Sequence, residues 1–210
     1  MRPIKTLIGI MLTISLPLLQ NCGLDIEETD TNFKWVVQGN TLTYDLRMAD
    51  QKISDYRILE IVENPGIRDN MIFKEVIPDV PDDPYDGNAV LRIFSHVYRL
   101  DNGLHTTACF KCGVTPCMSV INYLKVPATP ATDQSIPDYV CGDQIYTYDV
   151  ILSTDSLITV PFGQFNTFVI NDTMGRSIKF WNESEGLIRV DNYNDFYEDT
   201  LKLELSARSF

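Results

Sequence analysis

Basic residues are scarce in this chain. Seventeen Lys and Arg stand against 29 Asp and Glu, a net charge of −12. Such a surface repels phosphate backbones, which excludes nucleic acid as a partner. Histidine is scarcer still, with only His96 and His105. No His-Glu-x-x-His pair offers a zinc helix, and no serine stands in a Gly-x-Ser-x-Gly elbow. Gly163 and Gly175 are isolated, so no Gly-rich loop cradles a phosphate. No fixed-period repeat occurs, and no apolar run reaches the roughly 20 residues of a membrane-spanning helix. With the recognisable catalytic machineries missing, the expectation is a non-enzymatic protein with no cofactor and no metal. A hydrolase whose site the sequence hides is the remote alternative.

What is present begins at the N-terminus. Arg2 and Lys5 precede Leu7 to Leu19, which is apolar apart from Thr13 and Ser15. The segment fits a secretory leader. Leu19-Gln20-Asn21-Cys22 resembles the lipobox of a bacterial lipoprotein signal, although Asn21 replaces the usual small residue. The resemblance implies cleavage before Cys22 and acyl chains, palmitate among them, on its sulfur and amine. Several chains anchor stably where one binds marginally. The competing readings are an ordinary signal peptide cut elsewhere and an N-terminal anchor helix. Losing Arg2 and Lys5 takes the charge from −12 to −14. Gly23 in place of Asp favours the outer membrane by the sorting rules of Gram-negative lipoproteins. Asp25 to Asp30 resembles a Bacteroidota-type surface-export signal; it also reads as a solvated tether. The expected organisation is a leader over 1–21, an acidic tether over 22–32 and one globular domain over 33–210.

Setting Cys22 aside leaves Cys109, Cys112, Cys117 and Cys141. An even number outside the cytoplasm reads as two disulfides, with three pairings open. His105-x3-Cys109-x2-Cys112-x4-Cys117 is the rival zinc reading, but it lacks paired Cys-x2-Cys knuckles. Cys109-Phe110-Lys111-Cys112 as a redox pair would need a helix start, and Thr106-Thr107-Ala108 reads as strand.

The body of the chain is a series of short apolar runs broken by Pro, Gly, Asn and Asp. Leu201, Leu203 and Leu205 alternate with Lys202, Glu204 and Ser206, giving one dry face and one wet. Thr41–Leu46, Tyr56–Val62, Met71–Val76, Ala89–Tyr98, Ile145–Val150, Phe165–Ile170, Ser177–Trp181 and Gly186–Val190 read as further strands. Asp101-Asn102-Gly103 reads as a hairpin turn. Ten or more strands with short links predict a mainly β fold: one curved antiparallel sheet, or a partly open barrel or sandwich, with little helix beyond the leader. Lys125 to Tyr139, with Pro127, Pro130 and Pro137, reads as an extended surface loop. A Cys117–Cys141 bridge would clasp its base.

Three segments resemble Bacteroidota-type outer-membrane lipoproteins with a mostly antiparallel β-domain. They are Phe33 to Asp45, Val160-Pro161-Phe162-Gly163-Gln164-Phe165 and Ser184-Glu185-Gly186-Leu187-Ile188-Arg189. The chain departs from the family pattern at Leu42, Phe162 and Glu185. The resemblance implies a design like that of lipoprotein carriers, which wrap a curved sheet around an apolar ligand. It makes Phe165, Phe168 and Trp181 the candidate ligand-lining residues.

Other candidates read more plainly. His96 alternates with Phe94 and Tyr98 and reads as a packed sheet histidine. Asp79 to Asn88 gathers four carboxylates, but its prolines break EF-hand spacing, leaving a solvated loop. Asp155-Ser156-Leu157, Asp172-Thr173-Met174 and Asp199-Thr200-Leu201 resemble Bacteroidota-type O-glycosylation acceptors. The sequence thus predicts a lipid-anchored outer-membrane or surface lipoprotein of binding or scaffolding type. A membrane is its partner through Cys22, and a protein or apolar ligand is a possible second. A carrier of a lipid or other apolar ligand is the alternative.

Overall fold

The computed structural model describes residues 33–48, 51–65, 70–76, 91, 96–108, 121–141, 144–173, 176–194 and 199–210. They form β1 (Thr41–Met48), β2 (Gln51–Glu63), β3 (Asn70–Val76), β4 (His96–Leu100), β5 (Gly103–Ala108), β6 (Ile121–Pro127), β7 (Ser135–Cys141), β8 (Gln144–Val160), β9 (Gly163–Asp172), β10 (Ser177–Asn182), β11 (Gly186–Asn194) and β12 (Asp199–Arg208). No helix occurs among the described residues. The twelve strands make one antiparallel sheet in the order β6-β5-β4-β3-β2-β1-β12-β11-β10-β9-β8-β7. The sheet curls into a nearly closed barrel, as the expected fold class allowed.

Period-2 alternation sets the curl. On β1, Leu42, Tyr44 and Leu46 are buried while Thr43, Asp45 and Arg47 face outward. Leu42 stands opposite Leu59 of β2, so both strands put their apolar rows inside. Leu203 and Leu205 of β12 are fully buried, and Lys202 and Glu204 take the outer wall. Ion pairs line that wall: Arg47 to Glu204 at 2.7 Å, Lys52 to Asp45 at 2.5 Å, and Arg189 to Asp191 at 2.6 Å. A wall so charged belongs in water, not in hydrocarbon.

One end of the barrel is plugged by residues 33–40, which precede β1. Gly39 N–H donates to the Ile61 carbonyl at 2.8 Å, and Ile61 N–H returns a bond to Asn40 at 3.0 Å. Asn40 Nδ2 donates to the Trp35 carbonyl at 2.9 Å. This pinning drives the Trp35 ring inward, where it stacks on Phe73 at 5.5 Å and meets Trp181 at 6.2 Å. Gly186 sits against the indole at φ +92°, and a Cβ there would lie 3.0 Å from it. The closure therefore needs glycine at that turn. The Asp101–Asn102 hairpin lies at the same end and places Gly103 (φ +138°) against β6. A Cβ on Gly103 would reach 2.1 Å from the Val126 carbonyl oxygen.

The barrel is incomplete between β6 and β7, the two edge strands. Pro127 and Pro137 lie on these edges, where a missing N–H breaks no ladder and discourages pairing with other chains. The expectation of a surface loop from Lys125 to Tyr139 is corrected here. Only 128–134 link the strands, and both flanks belong to the sheet. Prolines spaced as in a loop are equally compatible with an edge strand bonded on one side. The expected Ala89–Tyr98 strand is described only from His96 onward.

Candidate functional site

The interior divides along the barrel axis. Near the plug it is apolar, with Phe33, Trp35, Leu42, Leu59, Ile61, Phe73, Phe168, Trp181 and Leu187 buried together. Phe168 and Trp181 are direct cross-strand partners on β9 and β10. Trp35 stands over Trp181, with ring centroids 6.2 Å apart. Phe165 does not join them; it is partly buried and stacks with Phe162 at 6.2 Å.

Further along the same strands the interior becomes ionic. Lys179 lies two residues from Trp181 on the same face of β10, and Asp172 four residues beyond Phe168 on β9. Asp138 of β7, Asp149 of β8 and Asp172 converge, with one oxygen of each within 4.8 Å of the others. Lys125 of β6 reaches across the open seam to Asp138 at 2.7 Å and Asp149 at 3.6 Å. Lys179 pairs with Asp172 at 2.6 Å. Ser177 Oγ donates to Asp172 at 3.2 Å, Thr147 Oγ1 to Asp138 at 3.4 Å, and Thr173 N–H to Asp149 at 3.3 Å. On the facing wall, Arg57 and Glu75 lie 3.6 Å apart, and Leu91 N–H donates to Glu75 at 3.0 Å.

Three carboxylates therefore share two ammonium groups, one proton short of balance. The deficit falls on Asp149. Burial is the main cause; Asp138 and Asp172 add to it and Lys125 and Lys179 oppose it, leaving its carboxyl pushed up to about 6. Burial with the Asp138 and Asp149 charges also raises the Tyr123 phenol to about 12. The donor set is one a hard cation accepts, but the lysines already fill its place. As it stands the cluster is a latch that ties the two edge strands through side chains.

A pH test follows. Folded, Asp149 keeps its proton up to about pH 6, whereas unfolded it loses it near 3.8. Acidification through that window stabilises the fold, and the gain is complete below the unfolded value. Asp149→Asn removes the deficit. In urea titrations it should exceed wild type by about 1–2 kcal/mol at pH 7.5, a shift discounted for solvent screening. The advantage should vanish by about pH 4. An advantage that persists undiminished at that pH would show that charge is not its source.

The histidines read differently from each other. His96 is half-buried with Nδ1 3.4 Å from Asn70 Oδ1. His105 is buried, its Nε2 is 2.7 Å from Asn102 Oδ1, and burial lowers its pKa. Of the acceptor tripeptides, Asp172 is engaged by Lys179, and Thr173 Oγ1 donates to the Tyr148 carbonyl at 2.9 Å. Cys22, Cys109, Cys112, Cys117 and the acidic stretch 79–88 lie outside the described residues. Cys141 closes β7, but its side chain is likewise outside them. Sequence reasoning missed the aspartate–lysine cluster. Its members are 7 to 23 residues apart along the chain (Lys125 to Asp138 to Asp149 to Asp172 to Lys179), and only the strand register brings them together.

No helix among the described residues is long and apolar enough to cross a membrane. No family model matches the chain, and no curated protein does. Two solved structures are similar to it. One, described as an exported protein of Bacteroides fragilis with a YmcC-like fold, is 12% identical. It covers 86% of this chain and 100% of its own length, with a TM-score of 0.41. The other, described as a lipoprotein of Parabacteroides distasonis, is 10% identical and covers 85% of this chain and 99% of its own, with a TM-score of 0.42.

Proposed function

We propose that the chain is a lipid-anchored lipoprotein of the outer membrane, whose barrel serves in binding or scaffolding without catalysis. The anchor reading rests on the leader and on Leu19-Gln20-Asn21-Cys22. The charged outer wall supports a domain held in water by its anchor. One observation favours a scaffold over an apolar-ligand carrier: Trp35 fills the interior between Phe73 and Trp181. A carrier would need that volume for its cargo. In the ionic half Lys125 and Lys179 pair with Asp138 and Asp172 and leave one carboxylate in excess, a lining that does not suit apolar cargo.

Native mass spectrometry of unreduced protein, extracted from its own membranes in detergent, tests this. The expected mass is the chain from Cys22 plus acyl groups, with no lipid-sized adduct. A stoichiometric adduct that survives removal of the acyl chains would turn the assignment to a carrier. Membrane retention of Cys22→Ala, cleaved and unacylated, would sink the anchor.

A further inference from the structure

Four of the nine large apolar side chains exposed among the described residues lie at the plugged end of the barrel. Phe162 in the β8–β9 turn is 40% exposed, and Phe210 beyond β12 is 38% exposed. Between their rings lies Arg208, its guanidinium carbon 5.4 Å from the Phe162 centroid and 4.8 Å from that of Phe210. Arg208 also pairs with Glu185 of the β10–β11 turn. Ser209 N–H donates to the Thr41 carbonyl, which places this group beside the plug. Val37 of the plug and Leu100 at the β4–β5 turn, 46% and 43% exposed, belong to the same end.

The chain also enters the barrel here, since Phe33 opens the plug. Ten residues lie between Cys22 and Phe33, a covalent reach of at most about 40 Å over the eleven Cα steps. If the opposite end faced the lipid, the barrel wall would consume most of that reach, because ten residues of β12 span about 33 Å. Glu63, Glu183, Glu185, Asp101 and Asp133 at this end outnumber Lys34, Arg99 and Arg208, which disfavours anionic lipid. Arginine held between aromatic rings, its charge neutralised by Glu185, suits the level of the headgroups with its stem over apolar surface.

We propose that the plugged rim, centred on Phe162, Arg208 and Phe210, rests on a zwitterionic bilayer and orients the anchored barrel. This rests on the anchor reading above. The ionic half of the barrel then points away from the membrane.

The test uses full-length protein purified from membranes in detergent, with acylation at Cys22 checked by intact mass. It is reconstituted into phosphatidylethanolamine–phosphatidylcholine vesicles, with or without brominated acyl chains, which quench nearby tryptophan. Phe162→Trp and Phe210→Trp report the rim. Tyr193→Trp, exposed on β11 toward the other end, is the reference. Trp35 and Trp181 are buried and supply a constant background. Loss of emission in brominated vesicles at either rim variant, with none at Tyr193→Trp, is the expected result. Acylated protein that floats with the vesicles but shows no rim quenching overturns the docking face and leaves the anchor standing. So does quenching at Tyr193→Trp, or rim emission that responds to protein concentration instead of lipid, which would assign the face to a second copy. Protein lacking the acyl mass and failing to float overturns the anchor and the docking face together.

Discussion

Trp35→Ala is expected to destabilise the fold by about 3–5 kcal/mol, the range for truncating a large buried aromatic. The indole is 1% exposed and held from three sides, by Phe73, Trp181 and the Gly186 backbone. None of the three can move far to fill the void. Gly186 is fixed by its turn, and Phe73 and Trp181 stand on separate strands of a continuous sheet. Urea unfolding gives the magnitude. Trp181 fluorescence gives the mechanism, because loss of the plug should let water approach that indole and shift its emission to the red. The variant also separates the two readings of the interior. With the void open, a fatty acid titrated against it should bind where wild type does not. A loss below about 1 kcal/mol, with Trp181 emission unchanged, would mean that the interior is not built around Trp35.

Lys125→Met should cost about as much, roughly 3–5 kcal/mol at pH 7.5, since it keeps the stem and removes the charge facing buried Asp149 and partly buried Asp138. The loss should be smaller at pH 5, where Asp149 takes up its own proton and the repulsion with Asp138 falls. Lys125→Met with Asp149→Asn should recover part of the loss at neutral pH. Equal losses at both pH values, with no recovery in the double variant, would trace the effect to packing of the lysine stem. Hydrogen exchange locates it: β6 and β7 should lose protection before β1 and β12. The seam strands have a ladder on one side only, and Lys125 is their charged tie.

Much of the wall was legible in the sequence. Leu201, Leu203 and Leu205 alternate against charged neighbours, and an alternating run with one dry face has one comfortable placement. Asp101-Asn102-Gly103 announced its hairpin through turn chemistry. Lys125 to Tyr139 misled because proline marks both loops and strand edges, and only the sheet order says which strands are edges. Trp35 lies within the Phe33 to Asp45 segment, but its inward turn depends on bonds to Ile61 and on a glycine 151 positions downstream. Phe165 and Phe168 are joint candidates for a carrier's lining, yet one stacks on Phe162 at the rim and the other is buried beside Trp181. The aspartate–lysine cluster left no local signature, since its five residues come from five strands.

The sheet order has a consequence for how the chain is made. Every ladder except one joins strands adjacent in sequence, so two six-stranded halves can each zip from local hairpins. The exception is β1 with β12, whose flanking residues Thr41 and Ser209 are 168 positions apart. A chain that emerges N-terminus first leaves β1 without its second neighbour until β12 follows, 168 positions later by the Thr41–Ser209 contact. The permanent edges carry Pro127 and Pro137; β1, from Thr41 to Met48, carries no proline. The hazard of illicit strand pairing therefore falls on a nascent chain whose first half is complete and whose closing strand has yet to arrive.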